Sequence, residues 1–352
     1  MSEPHAAQNS ANDYESALSS GGPSSVAAFD THDRNFLQKL QHFLHSSPAA
    51  VPLIVLIMSL VVFGLLLGGK FFSAFTLTLI LQQVAIVGIV GAAQTLVILT
   101  AGIDLSVGAI MVLSSVIMGQ FTFRYGLPPT IAILCGFMVG AFCGWINGVL
   151  VARMKLPPFI VTLGMWQIVL ASNFLYSANE TIRSQDIAQN APILQFFGEN
   201  LRLGGAVLTY GVIGMVLLVA FLWYVLNNTA WGRHVYAVGD DPDAAELAGV
   251  NVRRMLISVY TLSGLICAFA GWVLIGRIGS VSPMAGQFTD IESITAVVIG
   301  GLSLFGGRGS IVGVFSLGLR LIGTDPQWTY LLIGVLIIAA VAIDQWIRKV
   351  AG

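Results

Sequence analysis

Charge is the first thing this sequence has little of. Only 9% of its 352 residues are Asp, Glu, Lys or Arg, against about 25% in soluble globular chains, while 56% are hydrophobic. Such a chain has too little polar surface to face water on all sides. The few charges also fall in clumps. Residues 40–69, 71–103, 125–152, 156–179, 203–232 and 255–276 hold none, in runs of 22 to 33 residues. Cysteine is scarce as well: Cys135, Cys143 and Cys267 all lie in apolar runs, which argues against a disulfide or metal framework. The five histidines, His5, His32, His42, His45 and His234, show no paired-ligand spacing, so no metal site is expected. A net charge of −1 leaves no basic patch for phosphates, which excludes nucleic acid as a partner. No Ser/His/Asp arrangement is visible, so the chain does not read as an enzyme.

What is present is a series of membrane-length segments. Roughly 20 apolar residues span a hydrocarbon core as a helix. Backbone groups in lipid must be satisfied internally, and the alternating ten-residue segments of a barrel are missing. The expected fold is therefore all-α, with about ten transmembrane helices near 49–69, 75–99, 105–123, 130–151, 158–176, 206–226, 255–275, 291–305, 310–322 and 328–346. An even count puts both termini on one side. With that side cytoplasmic, ten of the 16 Lys and Arg residues lie inside, as the positive-inside rule favours. Residues 1–47 are polar and lack the basic start of a signal peptide. They read as a disordered cytoplasmic tail, and 48–352 as the membrane domain. Spans eight and nine are short and flank Gly300, Gly301, Gly306, Gly307 and Gly309. Gly-interrupted membrane segments point to a translocation pathway, or to tight packing through small residues.

Several polar residues sit inside the apolar runs. Gln94, Asp104, Ser106, Asn147 and Asn173 are the candidates for a hydrophilic pathway, although helix–helix hydrogen bonds explain such residues equally well. Asp104 either lines that pathway or caps the third helix, and the cap is the preferred reading. Asp290 and Glu292 are expected to be solvated at a membrane edge. The run Gly64–Lys70 matches most of a phosphate-binding loop. Phe71 replaces the required hydroxyl residue and the run ends a membrane span, so it is rejected.

The most informative loop is 227–254, between spans six and seven. Asp241 before Pro242 reads as an N-cap with proline at the first helical position, and Gly249 as the stop. The spacing predicts a two-turn helix over 242–248 that exposes Ala244, Ala245, Leu247 and Ala248. An isolated helix of this length is unstable, so a small apolar face suggests a partner's groove.

This loop also carries a resemblance. Asn228-Thr-Ala-Trp-Gly-Arg233, then Ala237-Val-Gly239, Ala244-Ala245 and Gly249-Val250, resemble the coupling loop of sugar-importer permeases. These are the membrane subunits of the ribose/xylose/fructose class of bacterial ABC transporters. Thr100-Ala-Gly-Ile-Asp104-Leu-Ser106-Val-Gly108 and Gly300-Gly-Leu-Ser303-Leu-Phe-Gly-Gly-Arg308-Gly-Ser310 resemble the same family, over about 49–348. The C-terminal stretch from Gln327 to Trp346 is most similar to rhizobial fructose permeases. The resemblance implies a permease of the bacterial inner membrane, working as a homodimer among lipids. A separate cytoplasmic ATPase would use the ATP, and this chain would hold no cofactor. A periplasmic sugar-binding protein would deliver the substrate. Arg233, Gly239, Asp241, Pro242, Ala244, Ala245, Leu247 and Gly249 would form the ATPase contact. A branched-chain amino-acid permease or a secondary transporter are the alternatives. One departure stands out: the ninth span has about 12 residues, some 18 Å of helix, where the family usually has about two turns more.

Overall fold

The structure, a computed structural model, describes residues 68–203, 206–286 and 288–300, with single positions at 57, 61, 64, 65, 302 and 338. The tail over 1–47, most of the first span, and the ninth and tenth spans lie outside the described residues. A 3-10 turn at Gly68–Lys70 precedes α1 (Ala74–Leu99), α2 (Val107–Phe123), α3 (Pro129–Met154) and α4 (Pro158–Ser177). Then come α5 (Ser184–Asn190), a 3-10 turn at Pro192–Gly198, and strands β1 (Asn200–Leu203) and β2 (Ala206–Thr209). The remainder is α6 (Tyr210–Asn228), α7 (Ala230–Asp240), α8 (Pro242–Leu247), α9 (Val252–Ile278) and α10 (Thr289–Ile299).

The helix ends follow local chemistry. Ser73 caps α1 by accepting from the Thr76 N–H at 3.2 Å. Pro129 and Pro158 occupy the first position of α3 and α4, where a missing N–H costs nothing. Lys155 (φ 54°) and Ala178 (φ 51°) close those helices in the left-handed region. Among the described residues, five helices, α1, α3, α4, α6 and α9, are long and apolar enough to cross a membrane. α2 has 17 residues, about 25 Å at 1.5 Å per residue.

Burial sorts these helices into centre and rim. Residues of the spanning windows are 78% buried in α1 and 67% in α9, against 39% in α3 and 28% each in α4 and α6. α1 and α9 are therefore central. The rim helices turn Phe142, Trp145, Ile168, Leu175, Leu217 and Phe221 outward, as lipid-facing surfaces do. The tightest crossing is α3 on α9. Gly136, Gly140, Gly144 and Gly148 recur every four residues along one face of α3. A Cβ on Gly140 would lie 2.6 Å from the Gly264 carbonyl oxygen and 2.8 Å from the Ala268 Cβ. Only a bare backbone allows that approach, as in small-residue helix pairs in membranes.

The described residues are mostly helical, as expected, with the addition of one hairpin. β1 and β2 pair antiparallel, with Asn200 opposite Thr209 and Arg202 opposite Val207. The sixth span was expected from 206, but 206–209 is strand and the helix starts at Tyr210. Apolar residues alone do not separate a strand from a helix turn. The surrounding segment is firmly anchored. Gln195 Nε2 donates to the Gly279 carbonyl at 2.6 Å, and Trp272 Nε1 to that of Ile193 at 3.1 Å. Phe197 meets Phe269 and Trp272 edge-on.

Candidate functional site

Two regions hold the residues that the sequence singled out. The first is the loop between α6 and α9. Thr229 caps α7 by accepting from the Gly232 N–H at 3.1 Å. Val235 and Val238 are buried on the inner face of α7, while Arg233 and Asp240 are exposed. Trp231 Nε1 donates to Ser258 Oγ at 3.0 Å, which ties α7 to α9. Burial raises the pKa of the Tyr236 hydroxyl on the same helix. The sequence showed this stretch as a motif and not as a helix. Its two glycines, Gly232 and Gly239, are both buried, and they mask the apolar period.

α8 forms where it was expected. Asp241 Oδ1 accepts from the N–H groups of Asp243 and Ala244, both at 3.0 Å, and Pro242 holds the first position. Gly249 takes φ +87° at the stop, a conformation that costs other residues energy. One expectation is corrected here. Ala245 is 4% exposed and faces inward, whereas Leu247 is 90% exposed. The Val250 N–H donates to the Ala245 carbonyl at 3.0 Å, folding the following chain under that side of the helix. The outward face is Ala244, Leu247 and Ala248. Asn251 then caps α9 by accepting from the Arg254 N–H.

The second region lies between α1, α2 and α3, where α1 ends and α2 begins. Asp104 is 1% exposed. Its Oδ1 accepts from the Ser106 N–H at 2.8 Å and from the Ser106 hydroxyl at 2.6 Å. That is an Asx turn leading into α2. Asn147 Nδ2 on α3 donates to Ser106 Oγ at 2.9 Å. Gln94 on α1, with its amide oriented to satisfy both groups, donates to the Asp104 carbonyl at 2.9 Å and accepts from its N–H at 3.3 Å. Four of the five pathway candidates thus form one continuous chain of hydrogen bonds. Thr162 Oγ1 at the start of α4 donates to the Ile103 carbonyl at 3.0 Å. Asn173 stands apart: its Nδ2 donates to the Pro283 carbonyl at 2.9 Å.

Asp290 is also corrected. It is buried at the start of α10 rather than solvated, with its N–H 3.1 Å from a Cβ placed on Gly108. The α9–α10 connection turns inward along α2, which no charge count reveals. Gln83 does not join the cluster; its Oε1 accepts from Arg277 Nη2.

Residues 76–341 match the family described as "Branched-chain amino acid transport system / permease component". The chain belongs to this permease family. The permease is 78% identical to a fructose import permease protein of Rhizobium meliloti, over the full length of both chains. It is 36% identical to a ribose import permease protein of Bacillus subtilis (strain 168), over 89% of this chain and 95% of the relative. A galactose/methyl galactoside import permease protein of Escherichia coli (strain K12) is 34% identical, over 78% of this chain and 88% of the relative. No solved structure matches. The permease is a multi-pass membrane protein, and its relatives are transport components rather than enzymes.

Sequence reasoning missed several residues of the permease's polar interior. Tyr260 is wholly buried on α9, its hydroxyl 2.7 Å from a Cβ placed on Gly102. Tyr260 OH, Ser114 Oγ, Ser263 Oγ and Asn147 Oδ1 have no hydrogen-bond partner among the described residues. The GxxxG spacing on α3 was the available signal for this packing; Ser263 directly precedes the partner glycine, Gly264, and Tyr260 lies one helical turn before it.

Proposed function

We propose that this chain is the membrane-spanning permease of an ATP-driven importer of a monosaccharide, fructose, in a bacterial inner membrane. Two copies enclose the pathway, a cytoplasmic ATPase closes on the α7–α8 loop, and a periplasmic binding protein delivers the sugar. Ten spans with both termini cytoplasmic place that loop on the ATPase side. The sugar assignment draws its support from relatives that are fructose, ribose and galactose import permeases.

The observation that carries the mechanism is Leu247. A leucine 90% exposed at the tip of a six-residue helix, capped at its start and followed by Gly249, is held out rather than left loose. Six residues do not make a stable helix alone, so the cap, proline and inward Ala245 fix α8 while its outer face stays bare. That face suits a groove in another protein. Gln94, Asp104, Ser106 and Asn147 form the polar junction where α1, α2 and α3 meet and support the pathway wall. Reconstitution of the permease in proteoliposomes tests this. Fructose uptake is expected only with ATP, the ATPase and the binding protein together. Uptake driven by a proton gradient without the ATPase would overturn the reading.

A further inference from the structure

α9 carries charge only at its two ends. Arg253 and Arg254 stand in its first turn and Arg277 in its last, and residues 255–276 between them hold no charge. Those 22 residues make about 33 Å of helix, which matches a hydrocarbon core of about 30 Å. With α9 crossing a bilayer, as its length and composition allow, Arg254 stands at the level where phospholipid headgroups begin. The neighbouring helix is basic at the same end. Gly140 of α3 meets Gly264 of α9, and Gly148 of α3 meets Ile257, so the two helices run antiparallel. The C-terminal end of α3, with Arg153 and Lys155, therefore lies beside the start of α9. All four cations are exposed, and among the described residues no ion pair holds any of them.

A groove begins at Arg254 and runs along α9. Among the described residues it is lined by Arg254, Ile257, Ser258, Thr261, Leu262 and Leu265, around a volume of about 410 Å³. These residues recur at steps of three and four, so they share one helix face. Eleven residues from first to last make a track about 16 Å long. The hydroxyls along it are already engaged. Ser258 Oγ donates to the Met255 carbonyl at 2.7 Å and accepts from Trp231 Nε1, and Thr261 Oγ1 donates to the Ile257 carbonyl at 2.7 Å. A ligand therefore meets one guanidinium fork at the head of a strip that behaves as apolar. Asp240, Asp243 and Glu246, exposed on α7 and α8, do not line the groove. A neutral sugar offers nothing to the guanidinium, and a soluble anion leaves the strip bare. An anionic phospholipid matches both ends, with a phosphodiester for the fork and an acyl chain for the strip. Basic pockets at the membrane edge recognise such headgroups, each Lys or Arg favouring an anionic surface about fivefold.

We propose that this groove is a site for one anionic phospholipid, with Arg254 holding the phosphodiester and the strip from Ile257 to Leu265 holding an acyl chain. The lipid covers Ser258, which ties α7 to α9 through Trp231, and offsets the four cations gathered at this end. The site goes beyond the importer reading, since it needs α9 in a bilayer but neither a sugar nor an ATPase. The test uses the full-length permease in detergent with equal amounts of phosphatidylglycerol and phosphatidylcholine, and native mass spectrometry of the lipid retained. Wild type should retain phosphatidylglycerol in preference. Arg254→Gln should lower that retention about fivefold, and Arg254→Lys should keep most of it. Arg254 is exposed, so both variants keep the fold. Leu262→Trp fills the strip and should displace the lipid. Arg183 is exposed near the other end of α9, where Ile182 pairs with Val281, and Arg183→Gln should change nothing. Equal retention by wild type and Arg254→Gln overturns the site, as does equal retention of the two lipids by wild type. An equal loss in Arg183→Gln shows bulk charge attraction and overturns it. Displacement of the lipid by inorganic phosphate shows a soluble-anion site and overturns the lipid assignment. A Leu262→Trp permease that loses a second copy of the chain, rather than lipid, shows a protein contact there and overturns it too.

Discussion

Leu247→Asp and Ala245→Asp, two residues apart on α8, should fail in opposite ways. Leu247 is 90% exposed, so replacing it in the isolated permease should change stability by no more than about 0.5 kcal/mol. Burying a leucine side chain in a partner's groove contributes about 1.5–3 kcal/mol, or about 10- to 150-fold in an equilibrium constant. Leu247→Asp should therefore leave expression and melting unchanged while weakening ATPase binding by that factor. It should uncouple ATP hydrolysis from fructose uptake. Ala245 is 4% exposed and faces the chain that turns under α8. A carboxylate there would be buried without a partner, at a cost of about 3 kcal/mol or more. Ala245→Asp should lose folded protein before any question of coupling arises. The assay is ATPase affinity by surface immobilisation, with sugar moved per ATP measured in vesicles. A Leu247→Asp permease with unchanged affinity and unchanged stoichiometry would refute the docking argument.

Asp104→Ala removes the acceptor of both Ser106 donors and should cost about 1–3 kcal/mol, read as a lower melting temperature in detergent; Asp104→Asn keeps an acceptor and should lose less. Gly140→Val forces side-chain atoms where a Cβ is already 2.6 Å from a carbonyl oxygen. Overpacking of this kind costs about 1–3 kcal/mol, so purified protein should melt lower and labelling of Cys143 or Cys267, both buried, should accelerate. Trp231→Phe deletes the donor to Ser258 but keeps an aromatic ring. It should leave ATPase binding intact and lower the sugar moved per ATP.

The extent of several of the described membrane helices was legible because charge marks the ends and hydrophobicity is continuous between them. α1 was expected at 75–99 and occurs at Ala74–Leu99; α4 was expected at 158–176 and occurs at Pro158–Ser177. Cap chemistry was equally readable, since Asp241, Pro242 and Gly249 act through their own neighbours. Facing was not readable. A helix of six residues has too few turns to show a period, so the inward side of Ala245 is decided by how Val250 folds back. The start of span six was misplaced for a related reason: Ala206–Thr209 is apolar enough for either state, and its pairing with Asn200–Leu203 decided it. Among the polar candidates, residue type announced Gln94, Asp104, Ser106, Asn147 and Asn173. Only the crossing of α1, α2 and α3 separates the four that join from the one that holds Pro283. Asp290 was misjudged because a charge near a span end reads as solvated unless the adjoining loop turns inward.

If α8 is the ATPase contact, α9 is the element able to carry its displacement into the membrane. α9 begins at Val252, two residues beyond the turn that Val250 makes against Ala245, and its first turn is fixed by Asn251. Its 27 residues make a rod about 40 Å long. Along that rod Ser258 holds α7 through Trp231, and Tyr260 reaches the Gly102 backbone. Gly264 meets Gly140, and Gly279 ends the helix against Gln195. Helices in contact through backbone have no soft side chains to absorb a shift, so α3 must follow α9 or separate from it. The Asp104–Ser106 junction bonds to α3 through Asn147 and to α1 through Gln94, so motion of α3 would load those bonds directly. This is why Trp231→Phe, remote from the sugar, is expected to change the sugar moved per ATP rather than the grip of the ATPase.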